Sequence, residues 1–348
     1  MFAAALLLLG VNPGRLKAQP AATRPPVETK LPAGITPEAK AAIERGLAYL
    51  ARTQDRQGSW ANRGNYGEFP VAMTALAGLA LLMDGNTTTQ GRYAPHVDRA
   101  TTFLIRSSEQ NGLLARGELD SRPMHGHGFA MLFLSQVYGA TEDVGRAEQI
   151  HDVLTRAVAL TGRAQSDLGG WLYTPDAQAD EGSVTVTQVQ GLRSCRNVGV
   201  AVPKAVIDQA MEYLERSQNT DGGIRYTAQR PGPSRPAISA AAVCCWYNAG
   251  QYTSPLAKRA LEYCKQRIRP HNTQGGHDYY AHLYLAQAMY VSSDPDWEAY
   301  FAKRRDFLLQ DQLPDGSWNG DLVGDIYGTA VALVILQLPY NQLPIMQR

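Results

Sequence analysis

The sequence predicts an all-α protein: six helix hairpins closed into an (α/α)6 toroid, with an inner ring of helices inside an outer one. Three observations predict it. A glycine turn recurs as QDRQGSW (54–60), QNG (110–112), QSDLGGW (165–171), QNTDGGI (218–224), TQGG (273–276) and QLPDGSW (312–318). Apart from a shorter last interval, the turns stand roughly 53 to 57 residues apart, a period that marks an array of one supersecondary unit. A proline (Pro37, Pro95, Pro203, Pro255, Pro295) precedes five of the turns by most of a helix. After every turn comes a run that is apolar nearly all round.

Each element follows from these markers. Proline suits the first helical position, where its missing N–H and fixed φ cost nothing. Thr36, Ser254 and Asp294 precede three of the prolines as N-caps, and Thr141 is the expected cap of the third repeat, which has no proline. The first helix of each pair is amphipathic: Ile43, Leu47 and Leu50 share one face, as do Ile207, Met211 and Leu214. The second helices fall at 69–82, 126–139, 183–192, 238–250, 278–290 and 327–339. A helix apolar on every side must be buried on every side, so these form the inner ring. Isolated β-branched runs without hairpin turns argue against sheet. The toroid is expected to occupy residues 36–348.

With 44% apolar and 19% charged residues the chain can bury a real core. A net charge of +1, from 33 basic and 32 acidic side chains, gives no pull toward nucleic acid. Residues 2–11 (FAAALLLLGV) form an apolar run of signal-peptide length, too short to span a bilayer. It lacks the usual basic residues ahead of it. Residues 1–22 are expected to be a signal peptide and 23–35 a proline-rich linker, so the mature chain is expected in the periplasm or cell envelope, with no membrane span. Cys195, Cys244, Cys245 and Cys264 lack the density of a disulfide scaffold and read as buried thiols.

The Gln-x-x-x-Gly-Ser-Trp turn resembles the QW motif of squalene–hopene cyclases and other terpene cyclases. Its residues here are Gln54, Gly58 and Trp60; Gln165 and Trp171; Gln218, followed by Ile224 where the motif has Trp; and Gln312, Gly316 and Trp318. The repeat pattern covers roughly residues 36–340. The segments MHGHGFAMLFLSQVYG and YGTAVALVILQLPYNQLP resemble bacterial proteins, of planctomycete type, with prenyltransferase and squalene oxidase repeats. The resemblance implies the six-hairpin toroid that protein prenyltransferase β-subunits share. A Gln side chain can satisfy backbone groups orphaned at helix ends, and Trp adds apolar area with one N–H. These residues therefore read as staples between repeats.

Chemistry is less legible. The cyclases' Asp-x-Asp-Asp acid motif is absent, and known triterpene cyclases pair two helical domains where this chain has one. The nearest approach is Asp180 and Glu181 before the third inner helix, which read either as a proton donor or as N-caps. Prenyltransferases hold zinc with an Asp-x-Cys and a later His. Here Cys244 and Cys245 lack that Asp, a Cys245–His282 pair falls short of a zinc ligand set, and no metal or cofactor is expected. Protein prenylation, cytosolic and heterodimeric, fits an exported single chain poorly. The Gly-Cys-Gly-Glu-Gln of complement-like thioester domains is absent. Asp120, His125 and His127, with His277, Asp278, Tyr279, Tyr280, His282, Asp325 and Tyr327, are expected around one mouth of a central cavity. There the histidines and acids read as metal-binding, acid–base or ligand-binding groups or as caps and a hydrated rim, with Phe129 and Tyr284 as apolar lining or plain core. Three functions stay open. The chain binds an isoprenoid, another lipid or a peptide-like ligand without cyclising it; or it is a divergent cyclase, an isomerase or lyase, with Asp180 or Glu181 as donor; or it is a structural module of the envelope that meets a protein partner.

Overall fold

A computed structural model describes residues 31–62, 64 and 67–347; the expected signal peptide and the linker as far as residue 30 lie outside the described residues. Six hairpins follow one another: α1 (Pro37–Thr53) and α2 (Pro70–Met83), α3 (Ala94–Arg106) and α4 (Pro123–Ala140), α5 (Val144–Arg163) and α6 (Gly182–Asn197), α7 (Lys204–Ser217) and α8 (Pro236–Asn248), α9 (Pro255–Arg267) and α10 (Asp278–Ser292), α11 (Asp294–Asp311) and α12 (Asp325–Gln337). The even-numbered helices pack in the cycle α2, α4, α6, α8, α10, α12 and back to α2, which closes the inner ring. The odd-numbered helices lie outside them. All fourteen residues of α2 are buried, whereas α1 buries one stripe through Ile43, Leu47 and Leu50. The all-α toroid expected from the sequence is the fold.

The turns explain the period. The Gln side chains at positions 54, 165, 218 and 312 each donate twice through Nε2. One bond goes to the glycine carbonyl four residues on, at 2.9–3.0 Å. The other crosses to the next outer helix: to the carbonyls of His96, Val206, Leu256 and, from the last repeat to the first, Ala42. Trp60, Trp171 and Trp318 donate their indole N–H to Leu50, Thr161 and Leu308 at 2.7–2.8 Å. Gly58, Gly169, Gly222 and Gly316 adopt φ near +90°, and a Cβ there would lie 2.2–2.7 Å from a carbonyl oxygen of the next outer helix. Only glycine meets both conditions. Gln312→Ala is therefore expected to cost about 2–3 kcal/mol, since it orphans the Gly316 carbonyl and removes the cross-seam bond to the Ala42 carbonyl. Urea unfolding measures it, and Gln312→Glu, which has no N–H, should not rescue it.

Three caps differ from expectation. Asp143, not Thr141, caps α5, accepting from Arg146 N at 2.8 Å; its carboxylate stands three residues before that N–H, as an N-cap requires. Ser293 caps α11, and Asp294 is the first helical residue, placed to favour the dipole. Pro203 occupies the cap position of α7 and Lys204 begins the helix. Thr36 and Ser254 cap as expected. The fifth turn departs most. A two-stranded hairpin, β1 (Ile268–Arg269) with β2 (Asn272–Thr273), replaces the Gln-to-Trp turn.

Candidate functional site

The inner helices begin at one mouth of the ring. His125 in the first turn of α4, Ser183 in that of α6 and Tyr280 in that of α10 meet there, each half-buried. Ser183 Oγ donates to Glu181 Oε2 at 2.6 Å and lies 3.1 Å from His125 Nε2. Tyr280 donates its hydroxyl to the Ser183 carbonyl at 2.8 Å, across the ring. His125 stacks on Tyr173, which carries the Arg122 guanidinium 4.6 Å from its ring centre and shares a hydroxyl contact with Tyr226. Glu181 is the N-cap of α6, accepting from Val184 N at 3.0 Å. Burial raises its pKa above the usual carboxylate range against the hydrogen bonds it receives. Burial, with Arg122 nearby, lowers His125 to about 4 and keeps its ring neutral. The arrangement is a carboxyl held toward its protonated form and joined through a hydroxyl to an imidazole near solvent.

Several expected residues are not part of it. His127 accepts from Leu114 N at 3.2 Å through Nδ1 and meets Thr161 of the outer layer at 3.0 Å. That is the place of Thr74, Thr185, Ser239 and Thr329, whose hydroxyls take the backbone N–H that ends four of the other glycine turns. His282 likewise faces outward, between Tyr300 at 2.7 Å and the Arg269 carbonyl at 3.0 Å, so neither histidine reaches the ring axis. Asp325 is drawn outward by Tyr49 of α1 at 2.5 Å. Tyr279 reaches Asp311 at 3.0 Å, and Tyr327 packs against it with ring centres 6.5 Å apart. His277 and Asp278 belong to the fifth turn, where Asp278 pairs with buried Arg304.

The remaining acids are structural ties between repeats. Asp180 accepts from Thr227 Oγ1 and Ala228 N at 2.7 and 2.9 Å, fastening the third turn to the fourth. Asp120 accepts from Arg116 N at 2.8 Å and, with the Val71 N–H, serves the start of α2; burial lifts its pKa to about 6. Asp321 accepts from Tyr279 N at 3.1 Å at the start of α10. The starts of α2, α4, α6 and α10 thus take acceptors (Asp120, the Tyr173 and Tyr226 carbonyls, and Asp321) from the loop of the next hairpin, because the first N–H groups of a helix have no intrahelical partner. The four cysteines are free and buried, and among the described residues no group of three or more His, Cys, Asp or Glu is placed to hold a metal.

Below the mouth the ring is filled. Tyr284, Gln190 and Gln287 are buried, and Gln190 Nε2 donates to Gln287 Oε1 at 2.7 Å, joining α6 to α10 past the intervening α8. The central cavity expected from the sequence is therefore occupied by side chains that meet across the axis. Ser183, Tyr173 and the two glutamines were missed in the sequence. For the two glutamines the available signal was a glutamine within a run expected to be buried.

No family model matches the chain. A drimenyl diphosphate synthase from Streptomyces showdoensis is 26% identical over 200 residues, 57% of this chain and 34% of that protein, so the chain spans about a third of its length. The type II terpene cyclase MstE from Scytonema, solved free and with geranylgeranyl dihydroxybenzoate, superposes with a TM-score of 0.60 at 16% identity; for the free form, 88% of this chain and 99% of that one are covered. An α-1,6-mannanase from Salegentibacter sp. superposes with a TM-score of 0.63 at 11% identity over 86% of this chain and 98% of its own. The architecture is that of a terpene-cyclase-like α/α toroid.

Proposed function

We propose that the protein binds an isoprenoid, another lipid or a peptide-like ligand at the mouth of its ring, without the acid-initiated cyclisation of terpene cyclases. The observation that carries this reading is the filled axis: Gln190 and Gln287 meet where a long chain would have to lie, and His125, Ser183 and Tyr280 form the accessible polar surface above them. The ligand of the MstE complexes and the product of the Streptomyces relative, each belonging to its own protein, support an isoprenoid. Native mass spectrometry and lipid extraction of the purified protein test it. A co-purified polyprenyl lipid is the expected result; a ligand-indifferent protein would leave a structural module of the envelope.

A second reading is favoured by one observation, the raised Glu181 carboxyl linked through Ser183 to His125: a divergent cyclase with Glu181 as proton donor. Glu181→Gln keeps an acceptor for Val184 N, so stability should change by less than about 1 kcal/mol. The leading reading expects no product from squalene or a polyprenyl diphosphate in either form. Product from the wild type that vanishes in Glu181→Gln would put the cyclase ahead. The apolar run at residues 2–11 supports export, which fractionation of expressing cells tests. Among the described residues no helix is long and apolar enough to cross a membrane.

A further inference from the structure

Outside the ring axis, the fourth glycine turn, residues 231–233 and the end of α9 enclose an open cavity of about 630 Å³. Asp221 of the turn and Arg267 of α9 both line it. Gly223 N and Ser234 Oγ donate to Asp221 Oδ1 at 3.0 and 2.7 Å, and no hydrogen bond reaches Oδ2. Arg267 donates through Nη1 to Gln274 Oε1 at 3.2 Å, which leaves Nε and Nη2, on one edge of the guanidinium, without a partner. The two side chains are opposite in charge and share a cavity, yet neither forms an ion pair among the described residues. Buried Tyr263 lines the same cavity, 5.7 Å from the Arg267 guanidinium, and senses both charges. Burial raises its pKa, the Asp221 charge adds to that, and the Arg267 charge works against it. Arg225, also in the lining, spends its donors on the carbonyls of Thr227 and Arg216 and adds charge without a free edge.

We propose that this cavity takes a short peptide with free ends, its ammonium group on Asp221 Oδ2 and its carboxylate on the free edge of Arg267. Two opposite charges that bias one phenol but stand too far apart to pair are both met by a molecule that carries a charge of each sign. A carboxylate suits the paired N–H groups of a guanidinium edge, and an ammonium, with donors only, suits a free carboxylate oxygen. Tyr263 and the Pro231–Pro233 wall give the stretch between the ends an apolar surface. The site is separate from the mouth of the ring and does not rest on the reading given for it.

Calorimetric titration of the full chain with trialanine, N-acetyl-trialanine and trialaninamide tests the assignment. Trialanine is expected to bind about fivefold more tightly than either blocked peptide at low salt. Asp221→Asn keeps the oxygen that holds Gly223 N and Ser234, so its unfolding temperature should not move. It should erase the preference over the acetylated peptide and keep the preference over the amide. Arg267→Gln should do the reverse, and Arg267→Lys, which keeps the charge, should retain both preferences. If Asp221→Asn does unfold at lower temperature, the two Arg267 variants decide alone. Equal binding of the three peptides by the wild type would overturn the proposal, and so would binding of none. A stable variant that loses both preferences together, or keeps both after Asp221→Asn or Arg267→Gln, would overturn it too, since each end of the peptide would then not be read by its own residue.

Discussion

Trp171→Ala is expected to lower the unfolding free energy by about 3–5 kcal/mol, the range for emptying a large buried aromatic site. Trp171 is wholly buried, its indole N–H donates to the Thr161 carbonyl at 2.8 Å, and its backbone N–H is held by Thr185 at 3.1 Å. The loss would take a large part of the roughly 5–15 kcal/mol that holds a typical domain together. Equilibrium urea unfolding measures it, and an unchanged midpoint would remove the staple role assigned to these turns. Trp171→Phe separates the two contributions. It keeps most of the apolar area and drops the N–H, so it should cost less than the alanine variant. The fourth turn is a natural control: Ile224 stands in the Trp position, buried, and its N–H is still held at 2.8 Å by Ser239. The turn's backbone geometry thus survives without an indole, and what the indole adds is area and one hydrogen bond.

The ring was legible because its determinants are local and repeated. A glycine at φ near +90° against a neighbouring carbonyl, a Gln two bonds long across a seam and a helix apolar on every side each leave a mark in the sequence. Six copies of the mark give a period. The site left no such mark. His127 and His282 resemble cavity ligands in the sequence, but they occupy the turn-holding position that Thr74 and Thr329 occupy elsewhere. Only their register shows the equivalence: each is the fifth residue of its inner helix, as Thr74 and Thr329 are of theirs. Asp120 and Asp180 were legible as acids near helix starts. Which N–H groups they serve depends on neighbouring repeats, which no spacing along one repeat encodes. Glu181 was read as cap or donor, and the structure places it as the cap while its Ser183–His125 connection keeps the chemical question alive.

The fifth turn carries the second large effect. With no Gln stapling it to the next outer helix and no Trp, it is held by charge: Asp278 Oδ2 pairs with Arg304 Nη1 at 2.9 Å, and its other oxygen accepts from Thr273 at 2.9 Å with His282 Nε2 at 3.4 Å. Arg304 is fully buried between the Tyr279 and Phe307 rings; Nη1 also donates to the Pro270 carbonyl at 2.8 Å, while Nε and Nη2 have no partner. Asp278→Asn is expected to cost about 3–5 kcal/mol, because it leaves a buried guanidinium uncompensated. Adding Arg304→Met should recover much of that loss, since an apolar pair of similar volume removes the desolvation penalty along with the attraction.

The pH dependence has a determined sign. Burial opposes ionisation of Asp278, yet the His282 hydrogen bond, the Arg304 charge and the Thr273 hydroxyl outweigh it and hold the carboxyl below the usual range. A depressed folded value means that this stabilisation is complete above about pH 4, the unfolded value, and is lost as pH falls through the lower folded one. His282 is held near 4 by burial and by Arg304. The unfolded chain therefore takes up a proton at His282 first, and stability starts to fall below about pH 6.5. Denaturant midpoints measured from pH 7 to pH 3 should show both stages in the wild type. Asp278→Asn should shrink the lower stage to the small share of Glu38, Asp296 and Asp315, whose carboxyls are also lowered by hydrogen bonds, while His125 and His127, both near 4, keep the upper one. A single acid limb shared by wild type and variant would mean that the fifth turn is held by packing and not by its charges.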